Sequence, residues 1–174
     1  MNGRLGVAMV TSGPGALNLL TGIGSCYFDS VPCLFITGQV NTYEYKFDRP
    51  VRQIGFQETD IVSVARPLTK YAEMVVDAGK IRYHLEKAVY LSQDGRPGPV
   101  LLDIPMDIQR GQIEPEKLES FFDSAEFHEL QKLPKFDSMQ LDEVLRLMGE
   151  AKRPVILAGG GVRTANASKE LQLL

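Results

Sequence analysis

At 174 residues, the chain has room for one full domain, or for one domain and part of another. Apolar residues make up 44% and charged residues 24%, which supports a buried core with an ordinary charge balance. A net charge of −3 offers nothing to nucleic acid or an anionic membrane, and no apolar run nears the ~18 residues of a spanning helix. The first residues lack the long apolar stretch of a signal peptide, so a cytoplasmic location is expected. Cys26 and Cys33 stand apart from any CxxC or histidine cluster, so no metal site is expected and two free thiols are.

The run LGVAMV (5–10) predicts a first strand. TSGPGALN (11–18) follows at once, with two glycines bracketing Pro14, and predicts a sharp turn into a helix. Ala16, Leu19, Leu20, Ile23 and Tyr27 then share one helical face. PCLFITG (32–38) and KYAEMVV (70–76) predict further strands. The segment 78–93 has a helical stripe of Ile81, Leu85, Ala88 and Val89, with Asp77 placed as N-cap. GPVLLDIP (98–105) completes the set. Apolar strands alternating with helices predict an α/β fold: a doubly wound parallel sheet covered on both faces.

The composition changes after Gln109. Residues 110–138 are charged and read as a linker lying across a surface. Leu141, Val144, Leu145 and Met148 mark a helix in 139–174, followed by RPVILAGGGV (153–162), a predicted strand running into a glycine turn. NASKELQLL opens one more helix. This last stretch reads as the beginning of a second, Rossmann-like α/β domain.

Both glycine turns have the geometry of an anion cradle, since a helix N-terminus presents unpaired N–H groups. Neither matches GxxxxGK[ST], and neither gives GxGxxG with an acidic residue about 20 positions on. On spacing alone, a ligand loop and a plain tight turn remain equal readings. His84 falls in a predicted helix and His128 in the charged stretch, neither beside a nucleophile or a ligand set, so both are expected to be structural or solvated.

Three motifs in order carry a resemblance: GVAMVTSGPGALNLLTGIGSCYFDSVPCLFITGQV, then FQETDIV, then GRPGPVLLDIPMDIQ. Together they resemble the thiamine-diphosphate enzymes of the acetolactate synthase group, strongly over 5–109 and more weakly over 140–174. The resemblance implies that 1–109 is the pyrimidine-binding domain without its first strand–helix unit, 110–138 a linker and 139–174 the start of a middle domain. It implies a fragment of a 2-oxo acid decarboxylase or carboligase, inactive alone. In the intact enzyme, thiamine diphosphate and magnesium would be bound between subunits of a homodimer or tetramer, with flavin adenine dinucleotide in the members that keep it.

Residue by residue, Pro14 and Asn18 would lie at the aminopyrimidine ring, where a flat heterocycle favours bare backbone. Phe56 and Gln57 match the pair lining the substrate side; the plain alternative is a core phenylalanine beside a solvated glutamine. Arg96 matches a flavin-contacting arginine, or else is only a turn arginine. Gly159, Gly160 and Gly161 match the dinucleotide-facing turn of the middle domain. No metal ligand is expected in this chain.

Three departures bear on function. The family's catalytic glutamate lies on a strand upstream of the TSGPG turn, and this chain has no counterpart; Glu44, Glu58 and Glu73 fall outside its motif. Met106 stands where acetolactate synthases carry lysine. The stretch Val40–Gly55 is long, has Asn41 where proline is common, and adds Tyr43, Tyr45 and Phe47, so a reshaped substrate entrance is expected. A non-catalytic or pseudogene product, a carboligase with an acceptor other than pyruvate, and a stand-alone nucleotide-binding module are the competing readings.

Overall fold

The computed structural model describes residues 5–132 and 138–174. Four apolar runs form the strands β1 (Gly6–Val10), β2 (Cys33–Gln39), β3 (Tyr71–Met74) and β4 (Pro99–Pro105), within about two residues of the predicted segments. All pair in parallel in the order β1-β2-β4-β3. Parallel neighbours need crossovers, and helices supply them. α1 (Pro14–Asn18) and α2 (Leu20–Asp29) follow β1, α3 (Ile61–Ala65) follows β2, and α4 (Ile81–Gln93) follows β3. A short α5 (Met106–Gln109) follows β4.

The period-2 alternation of the strands sorts the core into two layers. Phe35 and Leu101 point to one face, where Ile23 of α2 and Ile61, Val62 and Ala65 of α3 cover them. Leu34, Val100 and Leu102 point to the other, under Ala88 of α4 with Ile81, Leu85 and Val89 beside it. The sheet is therefore doubly wound, as predicted. The expected covering of both faces stops at the edge strand. Val7 and Met9 of β1 are 60% and 72% exposed. Their neighbours Ala8 and Val10 pack into the α2–α3 layer, which turns Val7 and Met9 to the opposite face of the edge.

Asp77 caps as predicted, its carboxylate accepting from the Gly79 N–H at 2.8 Å in the 3₁₀ turn that leads into α4. His84 is half-buried and shares a 2.7 Å hydrogen bond between its Nδ1 and the Tyr71 hydroxyl. Both cysteines are free and half-buried, and burial pushes the Cys33 thiol up to about 11.

The chain divides into two units, Met1–Leu133 and Pro134–Leu174. In the first, the charged stretch beyond β4 packs on α4 through an aromatic cluster. Phe121 is fully buried, with ring centroids of Tyr83, Tyr90, Phe122 and Phe127 within 5.7 Å. α6 (Ala125–Lys132) supplies Phe127. Glu86 of α4 pins this stretch, accepting from Ser120 Oγ at 2.7 Å and the Phe121 N–H at 2.9 Å while pairing with Arg82. Glu86→Ala strands that buried N–H and is expected to lower stability by about 1–3 kcal/mol, read by urea unfolding. Residues 133–137 of the expected linker lie outside the described residues.

The second unit holds α7 (Ser138–Glu150), α8 (Gly160–Thr164) and α9 (Ser168–Leu173). The strand expected in 153–162 is absent among the described residues, and Val155 and Leu157 are 93% and 98% exposed. A parallel strand exists only through a neighbour's ladder, and the described residues of this unit offer none.

Candidate functional site

The carboxyl ends of parallel strands are where open α/β sheets bind ligands. Here two loops meet at that end. The first is the turn Thr11–Gly13 between β1 and α1. The second spans Val40–Asp60, between β2 and α3.

Gly13 makes their contact possible. Its φ of 60° and ψ of −127° lie where side-chain-bearing residues are strongly disfavoured. A Cβ there would stand 2.6 Å from the Gln57 carbonyl oxygen and 2.8 Å from the Gln57 Cβ. The bare backbone of the first loop thus seats Gln57 of the second, across 44 positions of sequence. Gln57 answers with a positive φ of 57°. Pro14, in the first helical turn, fixes the helix start, and the Leu17 N–H donates to the Gly13 carbonyl at 3.0 Å. Pro14, Asn18 and Gln57 are all exposed, and so is Phe56, at 82%. The Phe56 ring is not tucked into the core.

Beneath the second loop lies a buried polar network that the sequence did not signal. Thr37 of β2 sits in register with Asp103 of β4, and Thr37 Oγ1 donates to Asp103 Oδ1 at 2.6 Å. Gln39 Nε2 donates to Asp103 Oδ2 and to the Thr59 carbonyl, each at 2.8 Å, while its Oε1 accepts from the Val40 N–H at 3.1 Å. One glutamine side chain thereby ties both ends of the loop to the sheet. Desolvation raises the Asp103 carboxyl to about 6, against the lowering effect of the Thr37 and Gln39 hydrogen bonds.

Glu58, with 8% exposure, accepts from the N–H groups of Lys46 (2.9 Å), Ile54 (2.7 Å) and Gly55 (3.1 Å). Gly55 is pressed on Val40, where a Cβ would come within 2.9 Å of three side-chain atoms. Asp107 of α5 anchors the loop's start, accepting from the Thr42 N–H and hydroxyl, and these bonds hold its carboxyl below the usual range despite the opposing desolvation. The expected aromatic entrance divides. Tyr45 is buried, edge-on to Phe47 at 5.0 Å, whereas Tyr43 and Phe47 are 70% and 50% exposed.

The other expected site residues lie elsewhere. Arg96 precedes β4 at the amino end of the sheet and donates from Nε to Ser30 Oγ at 2.7 Å, the opposite end from Gly13 and Gln57. Gly159, Gly160 and Gly161 are exposed at the start of α8, in the second unit, and no neighbouring atom crowds them. Among the described residues, no cluster of three or more His, Cys, Asp or Glu could hold a metal ion.

Residues 1–64 match the family model described as thiamine pyrophosphate enzyme, N-terminal TPP binding domain. The chain is 41% identical over 170 residues to acetolactate synthase 2, chloroplastic, of Nicotiana tabacum, a match covering 96% of this chain and 24% of that protein. It is 37% identical over 173 residues to the acetolactate synthase large subunit of Buchnera aphidicola, covering 98% and 28%. With the large subunit of Corynebacterium glutamicum it shares 39% identity over 181 residues, covering 99% and 26%. The chain spans about a quarter of the length of these relatives.

Proposed function

From the premise that the chain belongs with the thiamine pyrophosphate enzymes and is related to acetolactate synthases over nearly its whole length, we propose that its first unit is a pyrimidine-binding domain. It would hold the aminopyrimidine of thiamine diphosphate at the carboxyl end of the sheet. The observation that carries this reading is the contact of Gly13 with Gln57. It joins two separate motifs at the carboxyl end of the sheet, and Asn18, Phe56 and Gln57 of those motifs are exposed.

The chain's own groups define what it contributes. The exposed Pro14 would lie at the ring, Asn18 and Gln57 would hydrogen-bond its polar edge or a substrate carbonyl, and Phe56 would pack on a small apolar substrate group. Thiamine diphosphate, when bound, supplies the carbon nucleophile for 2-oxo acid chemistry. Magnesium and the diphosphate belong, on this reading, to parts of the relatives' length that this chain does not span. For flavin, the Arg96 guanidinium is already engaged with Ser30, its Nε donating to Ser30 Oγ. The whole-protein activity would be decarboxylation of a small 2-oxo acid and transfer of the remaining fragment to a second carbonyl, within a homo-oligomer. Met106, 38% exposed on α5, brings no cation to the acceptor side, which favours an acceptor less anionic than pyruvate.

No helix among the described residues is long and apolar enough to cross a membrane.

The test is a nuclear magnetic resonance titration of the chain with 4-amino-5-hydroxymethyl-2-methylpyrimidine. Shifts are expected to concentrate at 13–18 and 55–58. Asn18→Ala and Gln57→Ala are each expected to weaken binding about fivefold, one net hydrogen bond, with the unfolding midpoint unchanged because both side chains are exposed. Shifts scattered over the surface, or none, would refute the assignment.

A further inference from the structure

We propose that Glu58 is a positioning residue, whose buried carboxylate fixes the backbone of the second loop so that Gln57 seats against Gly13. The inference deepens the proposed pyrimidine site and rests on that reading for its functional consequence, though the clamp itself rests on geometry alone.

Three backbone N–H groups converge on the two carboxylate oxygens: Lys46 on Oε1, Ile54 and Gly55 on Oε2. They come from the two ends of the stretch 46–55, so one side chain closes the loop on itself. The Glu58 N–H returns to the Gly55 carbonyl at 3.3 Å, making a tight turn across Phe56 and Gln57. Both residues are therefore held between two tied positions. This explains how Phe56 stays 82% exposed and Gln57 keeps a left-handed backbone, arrangements that a slack loop relaxes by burying the ring and returning φ to negative values.

The chemistry calls for a carboxylate. An ionised carboxylate is acceptor-only and satisfies all three N–H donors at once. A carboxamide of the same size has one acceptor oxygen, and its NH₂ would face N–H groups. The Glu58 carboxylate accepts from the backbone N–H groups of Lys46, Ile54 and Gly55, so it acts through the loop.

The experiment uses the full chain and E58Q, with hydrogen exchange resolved along the sequence and the same pyrimidine probe. E58Q is expected to speed exchange of amides in 45–57 at least tenfold, to leave the amides of β2 and β4 within twofold of wild type, and to weaken the probe at least tenfold. If E58Q does not fold, E58D, which keeps both acceptor oxygens on a shorter stem, carries the same comparison, with the loss again confined to 45–57. Unchanged exchange in 45–57 overturns the proposal, as does acceleration spread evenly through β2 and β4. A wild-type chain that ignores the probe while E58Q frees the loop supports the clamp and removes the pyrimidine reading instead.

Discussion

Gly13→Ala is expected to lower the stability of the first unit by about 2–6 kcal/mol and to abolish binding of the pyrimidine probe. Two effects add. A side chain at φ 60°, ψ −127° strains the backbone by about 1–3 kcal/mol. The new Cβ also lands 2.6 Å from a carbonyl oxygen, and forcing backbone apart in a packed site costs about 1–3 kcal/mol more. The neighbouring Gly15→Ala is a control. Its Cβ meets the Thr11 methyl at 2.7 Å, a side-chain contact, and its φ lies outside the glycine region, so a smaller loss is expected. Urea unfolding followed by tyrosine fluorescence measures both, since all six tyrosines fall in the first unit. A Gly13→Ala loss below about 0.5 kcal/mol, the ordinary size of a surface substitution, contradicts the described contact.

The second large effect is a pH dependence centred on Asp103. Its carboxyl is raised from 3.8 to about 6 in the folded chain, so the folded state holds the proton more tightly than the unfolded one. Stability from this group is fully present below about pH 4, falls as pH rises through about 6, and is level above that. A rise of this size corresponds to about 3 kcal/mol. Asp60 is the charged neighbour that adds to the rise, while Thr37 and Gln39 oppose it. Carboxylates held low, such as Asp107, Glu86 and Glu126, act in the opposite sense at more acid pH. The difference between wild type and Asp103→Asn isolates the group. Wild type is expected to lose about 3 kcal/mol relative to the variant between pH 3 and pH 7, whatever the variant's constant offset from its altered bond to Gln39. A pH-independent difference refutes the burial argument.

The four strands are legible in the sequence because apolar runs such as GPVLLDIP are too short for helices and too apolar for a half-exposed sheet. The α4 stripe and the Asp77 cap of the 3₁₀ turn before it are equally plain. The strand order is not, since parallel neighbours are chosen by crossover geometry and no local turn records it. Asp103 and Thr37 are hidden inside apolar runs, where one polar residue reads as noise until its register partner is known. In sequence, Glu58 is only an acid outside the catalytic motif, because its three partners are backbone groups and leave no trace in residue type. The site motifs themselves are visible by resemblance, but the contact of Gly13 with Gln57 is a tertiary fact. In the second unit, VILAGGG reads as strand then turn, and local pattern says nothing about whether a neighbour exists to pair with it.

The position of β4 between β2 and β3 has a consequence for the order in which this chain acquires structure during synthesis. Only β1 and β2 can pair early; Cys33 waits for Pro99, and Tyr71 for Val100. At roughly 5–20 residues per second, β2 leaves the ribosome several seconds before its second partner. For that interval the apolar edge of β2 and the whole of β3 are unpaired templates, open to any passing strand. With no hairpin to close them locally, this nascent segment is a natural client for chaperones, and the emergence of residues 99–105 is the event that releases it.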